Sequence, residues 1–107
     1  MYRFHINDTL LQSGNCTIVG RILGAKWKEA LVDAKVEICS TKYNSHCDIK
    51  GMYSIKDVPP GTYDIKVTEI GFFDYTAKNI ELPVNHIINI DFELAPVYTE
   101  SNSVRIK

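Results

Sequence analysis

The sequence predicts an all-β chain, two antiparallel sheets packed face to face as a sandwich of about seven strands. Three observations carry this. Apolar residues alternate in short runs with period two, and no long run keeps a helical period. Turn signals recur about every 8–12 residues, the spacing of a sandwich or barrel. Every connection is short, and parallel neighbours would need long crossovers. Alternating faces of this kind bury themselves best by packing sheet on sheet.

The elements follow in order. Tyr2–Ile6 reads as an edge strand or a leader, so residues 1–15 precede the main unit. Thr17–Leu23 is a strand with Ile18, Gly20 and Ile22 on one face. Gly24–Glu29 is a loop holding the single tryptophan, Trp27. Ala34, Val36 and Ile38 face inward on the next strand, against Lys35 and Glu37. Ser40–Ser45 is a polar hairpin loop. Asp48 opens a turn that Gly51 closes. Met52–Lys56 follows, with Tyr53 and Ile55 inward.

Pro59 and Pro60 cannot donate to a ladder and stop that strand, and Gly61 opens the next. In Thr62–Ile70, Tyr63, Ile65 and Val67 alternate with Asp64, Lys66 and Thr68. Gly71 then marks a bulge or corner. Phe73–Leu82 returns irregularly. In His86–Leu94, the clearest strand, Ile88, Ile90, Phe92 and Leu94 share one face. The predicted core is Ile18, Ile22, Val36, Ile38, Tyr53, Ile55, Tyr63, Ile65, Val67, Ile88, Ile90 and Phe92. The sandwich is expected over 16–95 and a polar tail or linker over 96–107.

Composition removes several function classes. With 107 residues the chain makes one domain, long enough to hold a core unaided. Net charge is −1 and the basic residues are scattered, so there is no concentrated basic face for nucleic acid. No stretch approaches the ~20 apolar residues of a membrane span. The first residues carry no apolar signal core, so either the chain is not exported by that route or it begins after such a signal. Three cysteines leave at least one thiol free in a monomer. Cys39 and Cys47 flank the hairpin loop, which leaves a cross-strand disulfide open against three reduced thiols.

Motifs for chemistry are missing. His5, His46 and His86 lie about forty residues apart, without the close spacing of metal ligands, so no metal or cofactor is expected. His46-Cys47-Asp48 reads as a nucleophile cluster on paper, but adjacent strand residues point to opposite faces. The candidate binding residues are aromatic: Trp27, between Lys26 and Lys28, and Phe73 with Tyr75, just after Phe72. Gly51, Gly61 and Gly71 are expected to serve turns, with no part for Gly61 or Gly71 in a ligand site.

Thr17-Ile18-Val19-Gly20, Ala30–Ile38, Cys47-Asp48-Ile49-Lys50-Gly51-Met52-Tyr53, Val58-Pro59-Pro60-Gly61-Thr62-Tyr63 and Ile70-Gly71-Phe72 come in an order that resembles the carboxypeptidase regulatory-like, or transthyretin-like, domain family. Two positions depart from that pattern: Asp33 stands where glycine is usual, and Cys47 where threonine is usual. The resemblance implies a seven-stranded Greek-key, prealbumin-like sandwich. It implies a non-catalytic accessory module of the cell envelope, of an extracellular protein, or of a secretion or phage spike, with a cytoplasmic setting as the alternative. A protein partner or another domain of a parent chain is then expected. A glycan-binding module is the alternative, and a transthyretin-related small-molecule hydrolase a remote one. The Tyr-Arg-Gly-Ser ending of those hydrolases is absent, since this sequence closes Ser103-Val104-Arg105-Ile106-Lys107.

Overall fold

The structure, a computed structural model, describes residues 1–11 and 14–97. It is a two-sheet sandwich of eight strands among those residues: β1 (Tyr2–Leu10), β2 (Cys16–Gly24), β3 (Lys35–Ile38), β4 (Asn44–His46), β5 (Met52–Val58), β6 (Gly61–Thr68), β7 (Tyr75–Leu82) and β8 (His86–Leu94). One sheet runs β1-β8-β2-β5 and the other β4-β3-β6-β7. The expected tail over 96–107 lies outside the described residues beyond Val97.

Two expectations are corrected. The strand count is eight, not seven, because the loop read over Ser40–Ser45 contains most of β4. Its three polar residues show no alternation, and only its register against β3 (Lys35 opposite His46, Glu37 opposite Asn44) makes it a strand. Pairing is also not uniformly antiparallel. β2 and β8 run parallel, Ile18 beside Ile88 and Ile22 beside Phe92. Short connections constrain only strands adjacent in sequence. Here β3 through β7 all intervene, a crossover of ample length.

The predicted core is buried between the sheets, except that Tyr63 is half-buried and packs against its margin. Cys16, Leu31, Ala34, Cys47, Val58, Ala77, Ile80, Leu82 and Leu94 join it. No buried polar or charged residue interrupts it among the described residues. At its centre Gly20 of β2 lies opposite Tyr53 of β5. The ring of Tyr53 crosses that glycine, and its hydroxyl donates to the Ile90 carbonyl on β8 at 2.6 Å. A Cβ at position 20 would collide with that carbonyl oxygen and stand 2.9 Å from the Tyr53 ring. The glycine is therefore the space that lets one tyrosine span three strands. Burial pushes the Tyr53 hydroxyl pKa well up, with the Asp91 and Cys47 charges adding to the effect.

Candidate functional site

The loops at the two ends of the sandwich differ in character. One end gathers the β2–β3, β4–β5 and β6–β7 connections, together with the residues after β8. Backbone hydrogen bonds tie these segments together. Ala25 donates to the Leu94 carbonyl at 2.8 Å, and Phe73 to the next carbonyl, Ala95, at 2.9 Å. Phe72 forms a bridge with Pro96, and Val97 donates to the Gly71 carbonyl at 2.9 Å. Ile22 donates to the Gly51 carbonyl at 2.8 Å, and Asp33 to the Cys47 carbonyl at 3.0 Å. Met1 exchanges backbone hydrogen bonds with Glu93 at the same end.

Among the described residues, these segments carry most of the large apolar side chains left in water. Ile70 is 97% exposed, Ile49 80%, Trp27 60% and Phe73 58%, and Met1, Val32 and Val97 are exposed beside them. Scattered single exposures need no explanation, but a concentration of them does. Charged groups border this end. Lys28 pairs with Glu93 at 3.0 Å, and the Lys26 ammonium sits 4.8 Å from the centre of the Trp27 ring. A shallow hollow of about 370 Å³ opens below Ile70, lined by Asp33, Lys35, His46, Glu69 and Asp74 among others.

The sequence treats Trp27 and Phe73 as alternative sites; the structure brings both to this end, Phe73 bonded to the Ala95 carbonyl and Trp27 in the loop whose Ala25 amide bonds the Leu94 carbonyl. Tyr75 is different. It is half-buried, with its ring 6.1 Å from that of Tyr2 and 6.2 Å from that of Phe92. It therefore forms no exposed patch with Phe73, because β7 begins at Tyr75 and turns it toward the core. Phe72 also packs against the core. Sequence reasoning passed over Ile49, Ile70 and Val32 as binding residues. The signal available for Ile49 and Ile70 was that each interrupts a turn otherwise built from Gly, Asp, Lys and Glu; Val32, between Leu31 and Asp33, carried no such signal.

Turn geometry holds this end in place. The Asp48 carboxylate accepts from the amides of Lys50 at 2.9 Å and Met52 at 3.0 Å. Those two amides hold its pKa below the usual carboxylate value. Gly51 has φ 77°, and a Cβ there would meet the Ile22 carbonyl oxygen at 2.7 Å. Gly71, at φ 90°, has open space around it. Gly61, at φ 157°, lies at the edge of ordinary extended backbone. Asp33, which replaces the usual glycine, keeps a left-handed φ of 67°.

The cysteines are all free. A Cys39–Cys47 bridge is ruled out by register. The Cys47 amide donates to Ala34, five residues before Cys39 along β3, so the two lie roughly 16 Å apart at strand rise. A disulfide needs Cα atoms within about 7 Å. Burial, followed by the Asp48, Glu69 and Asp33 charges, pushes the Cys47 thiol up to about 12. Burial also raises Cys16, whose sulfur contacts the Pro83 carbonyl. The triplet His46-Cys47-Asp48 splits as its alternation requires, with Cys47 buried and its neighbours exposed. Among the described residues no three His, Cys, Asp or Glu side chains converge as a metal site.

Residues 18–106 match the CarboxypepD_reg-like domain family, and the chain belongs to it. Among curated proteins it is similar to the TonB-dependent transporter Oar of Myxococcus xanthus, 29% identical over 84 residues. That match covers 75% of this chain and 8% of the transporter. Among solved structures it is similar to a chain of a type II cohesin–X-dockerin complex from Acetivibrio cellulolyticus, with TM-score 0.58 and 26% identity. The likeness spans 75% of this chain and 51% of that one. A candidate carbohydrate-binding protein of Bacteroides uniformis shares the fold, with TM-score 0.61 at 21% identity, over 78% of this chain and 43% of that one.

Proposed function

We propose that this chain is a non-catalytic interaction module that binds another protein, or another domain of a longer parent chain, through the apolar end of its sandwich. The observation that carries this reading is the gathering of Trp27, Ile49, Ile70 and Phe73 in water at one end, on loops hydrogen-bonded to each other and to the end of β8. Loops held by a rigid scaffold are where binding residues concentrate. Aromatic anchors dominate protein interfaces, while a charged border adds steering and register more than affinity. The family supports an accessory role. The similarity to a TonB-dependent transporter accords with a module that works on or beside such a receptor in the cell envelope.

Site-specific photocrosslinking tests the reading. A benzoylphenylalanine at position 70 should yield protein adducts in cells of the source organism, and one at position 84, on the opposite end, should not. Equal labelling at both positions, or none at either, would sink it. Retention on a glycan column that Trp27→Ala abolishes, without protein adducts at position 70, would favour the carbohydrate reading instead.

A further inference from the structure

The sandwich has four edge strands, and three of them are protected. Natural sheets blunt their edges with short strands, bulges or charges. β4 has only three residues. β7 is kinked where its register against β6 shifts between Tyr63 and Ile65, and Asn79 there takes φ 58°. β5 carries the exposed pair Lys56 and Asp57 near its end, the latter at φ 61°, and its pairing with β2 shifts between Cys16 and Ile18. β1 differs. From Tyr2 to Ile6 it pairs with β8 in unbroken register, its shift coming only between Ile6 and Leu10. That stretch has no proline and no inward charge. It also lies outside the family match, which begins at residue 18.

The inward row of β1 is only partly covered. Phe4 lies opposite Ile90 and Ile6 opposite Ile88, so both face the interior, yet they are 38% and 42% exposed. They line an open groove of about 580 Å³ between β1 and β7, with Ile80, Leu82 and Pro83 on its far side. A strand added beside β1 would place its own inward side chains in this groove, since directly opposed residues share a face.

We propose that two copies of this chain associate through β1, pairing antiparallel across a two-fold axis near Phe4. Each copy then lays its Tyr2, Phe4 and Ile6 row into the other's groove. With Phe4 at the axis, Tyr2 faces the other copy's Ile6 and Arg3 faces its His5. From Tyr2 to Ile6, β1 supplies both halves of the match, an edge with no neighbouring strand among the described residues and an alternating row, which is what an isologous contact requires. The area sets the strength. A short ladder and two side chains that are already half-covered bury a few hundred Å² per copy, against the roughly 800 Å² per partner of a stable complex. The dimer is therefore weak and concentration-dependent. This surface is separate from the apolar end.

Sedimentation equilibrium over roughly 10 µM to 1 mM spans the dissociation constants of such contacts. The apparent mass should rise from the 12.1 kDa of one chain toward twice that value. The double variant Phe4→Lys with Ile6→Lys should weaken association by about tenfold or more, since it places like charges in the shared groove. Both side chains already reach water, and a thermal melt checks that the variant folds. Independently, Phe4→Cys should form a disulfide-linked dimer on mild oxidation, because opposed Cα atoms lie about 4.5–5.5 Å apart. Ile49→Cys and the wild type should not. A single 12.1 kDa species throughout, or crosslinking at position 49 as fast as at position 4, would overturn the proposal. A monomer that still yields adducts at position 70 would remove this dimer and leave the proposed function standing.

Discussion

The two ends of the sandwich are built from the same strands and share one core, yet they meet water differently. At one end Trp27, Ile49, Ile70 and Phe73 stand in solvent on loops laced to the end of β8. At the other end, among the described residues, lie Leu11, Gly14 and Asn15 and the connections over 39–43, 59–60 and 83–85. They are tied by polar contacts: Asn85 accepts from Gly14 through its side chain at 2.7 Å and from Leu11 through its carbonyl at 2.7 Å. The Tyr63 hydroxyl donates to the Pro59 carbonyl at 2.8 Å, and the Thr41 hydroxyl to that of Ile38 at 2.7 Å. Among the described residues of these connections, Val84 is the exposed large apolar one. The difference teaches that closing the turns and covering apolar surface are separable in this fold. Both ends close their turns with hydrogen bonds, and the apolar end also leaves a group of large apolar side chains in solvent.

The largest change should come from the floor both ends share. Ile90 is fully buried, and its carbonyl holds the Tyr53 hydroxyl. Ile90→Ala should cost about 2–5 kcal/mol and loosen both ends together, as read by denaturant unfolding and amide exchange. Loss at one end alone would show that the ends are not coupled through β8.

Next in size is the apolar end itself. Trp27→Ala and Phe73→Ala should each weaken capture of the partner found by crosslinking by about 2 kcal/mol, roughly thirtyfold, with little change in melting temperature. Val84→Ala should do neither. If Trp27→Ala and Phe73→Ala both melt the domain, those side chains support the fold and the contrast between the ends fails.

A smaller effect tests the turn at the apolar end. Asp33 holds a left-handed φ where glycine would be unstrained. Asp33→Gly should raise stability by about 0.5–1 kcal/mol, the relief of strain exceeding the added freedom of the unfolded chain. A net loss, measured by denaturant midpoint, would mean that the Asp33 side chain contributes more than the backbone costs.

The smallest is a pH effect. The Asp48 carboxylate has a folded-state pKa below its ordinary 3.8, mainly because the Met52 and Lys50 amides donate to its charged form. Its stabilisation is therefore complete above that value and fades as pH falls through the folded pKa. Asp48→Asn should lower stability at neutral pH and narrow its gap to the wild type in acid. A gap that stays constant down to the lowest pH at which the domain folds would remove the argument.

Much of the fold was legible because burial imposes period two on a strand. Ile88, Ile90 and Phe92 declare their face without any partner in view, and they are buried. β4 was not legible, since Asn44, Ser45 and His46 carry no alternation and are held by register with β3. The candidate site was half legible. Trp27 and Phe73 could be picked out as aromatics in turns, whereas Tyr75 could be sorted from Phe73 only by knowing where β7 begins.

By itself the sequence determined the class of fold, much of the core and the positions of the main turns. Each of these rests on local chemistry: alternation, the missing donor of proline, and the short reach of Asp48 to its neighbouring amides. Only the tertiary structure decided that β2 and β8 lie parallel, that Cys39 and Cys47 are too far apart to bond, and that Trp27 and Phe73 share one end. Those facts depend on contacts between residues distant in the chain. A pattern of period two states which face a residue takes, but not which strand lies beside it.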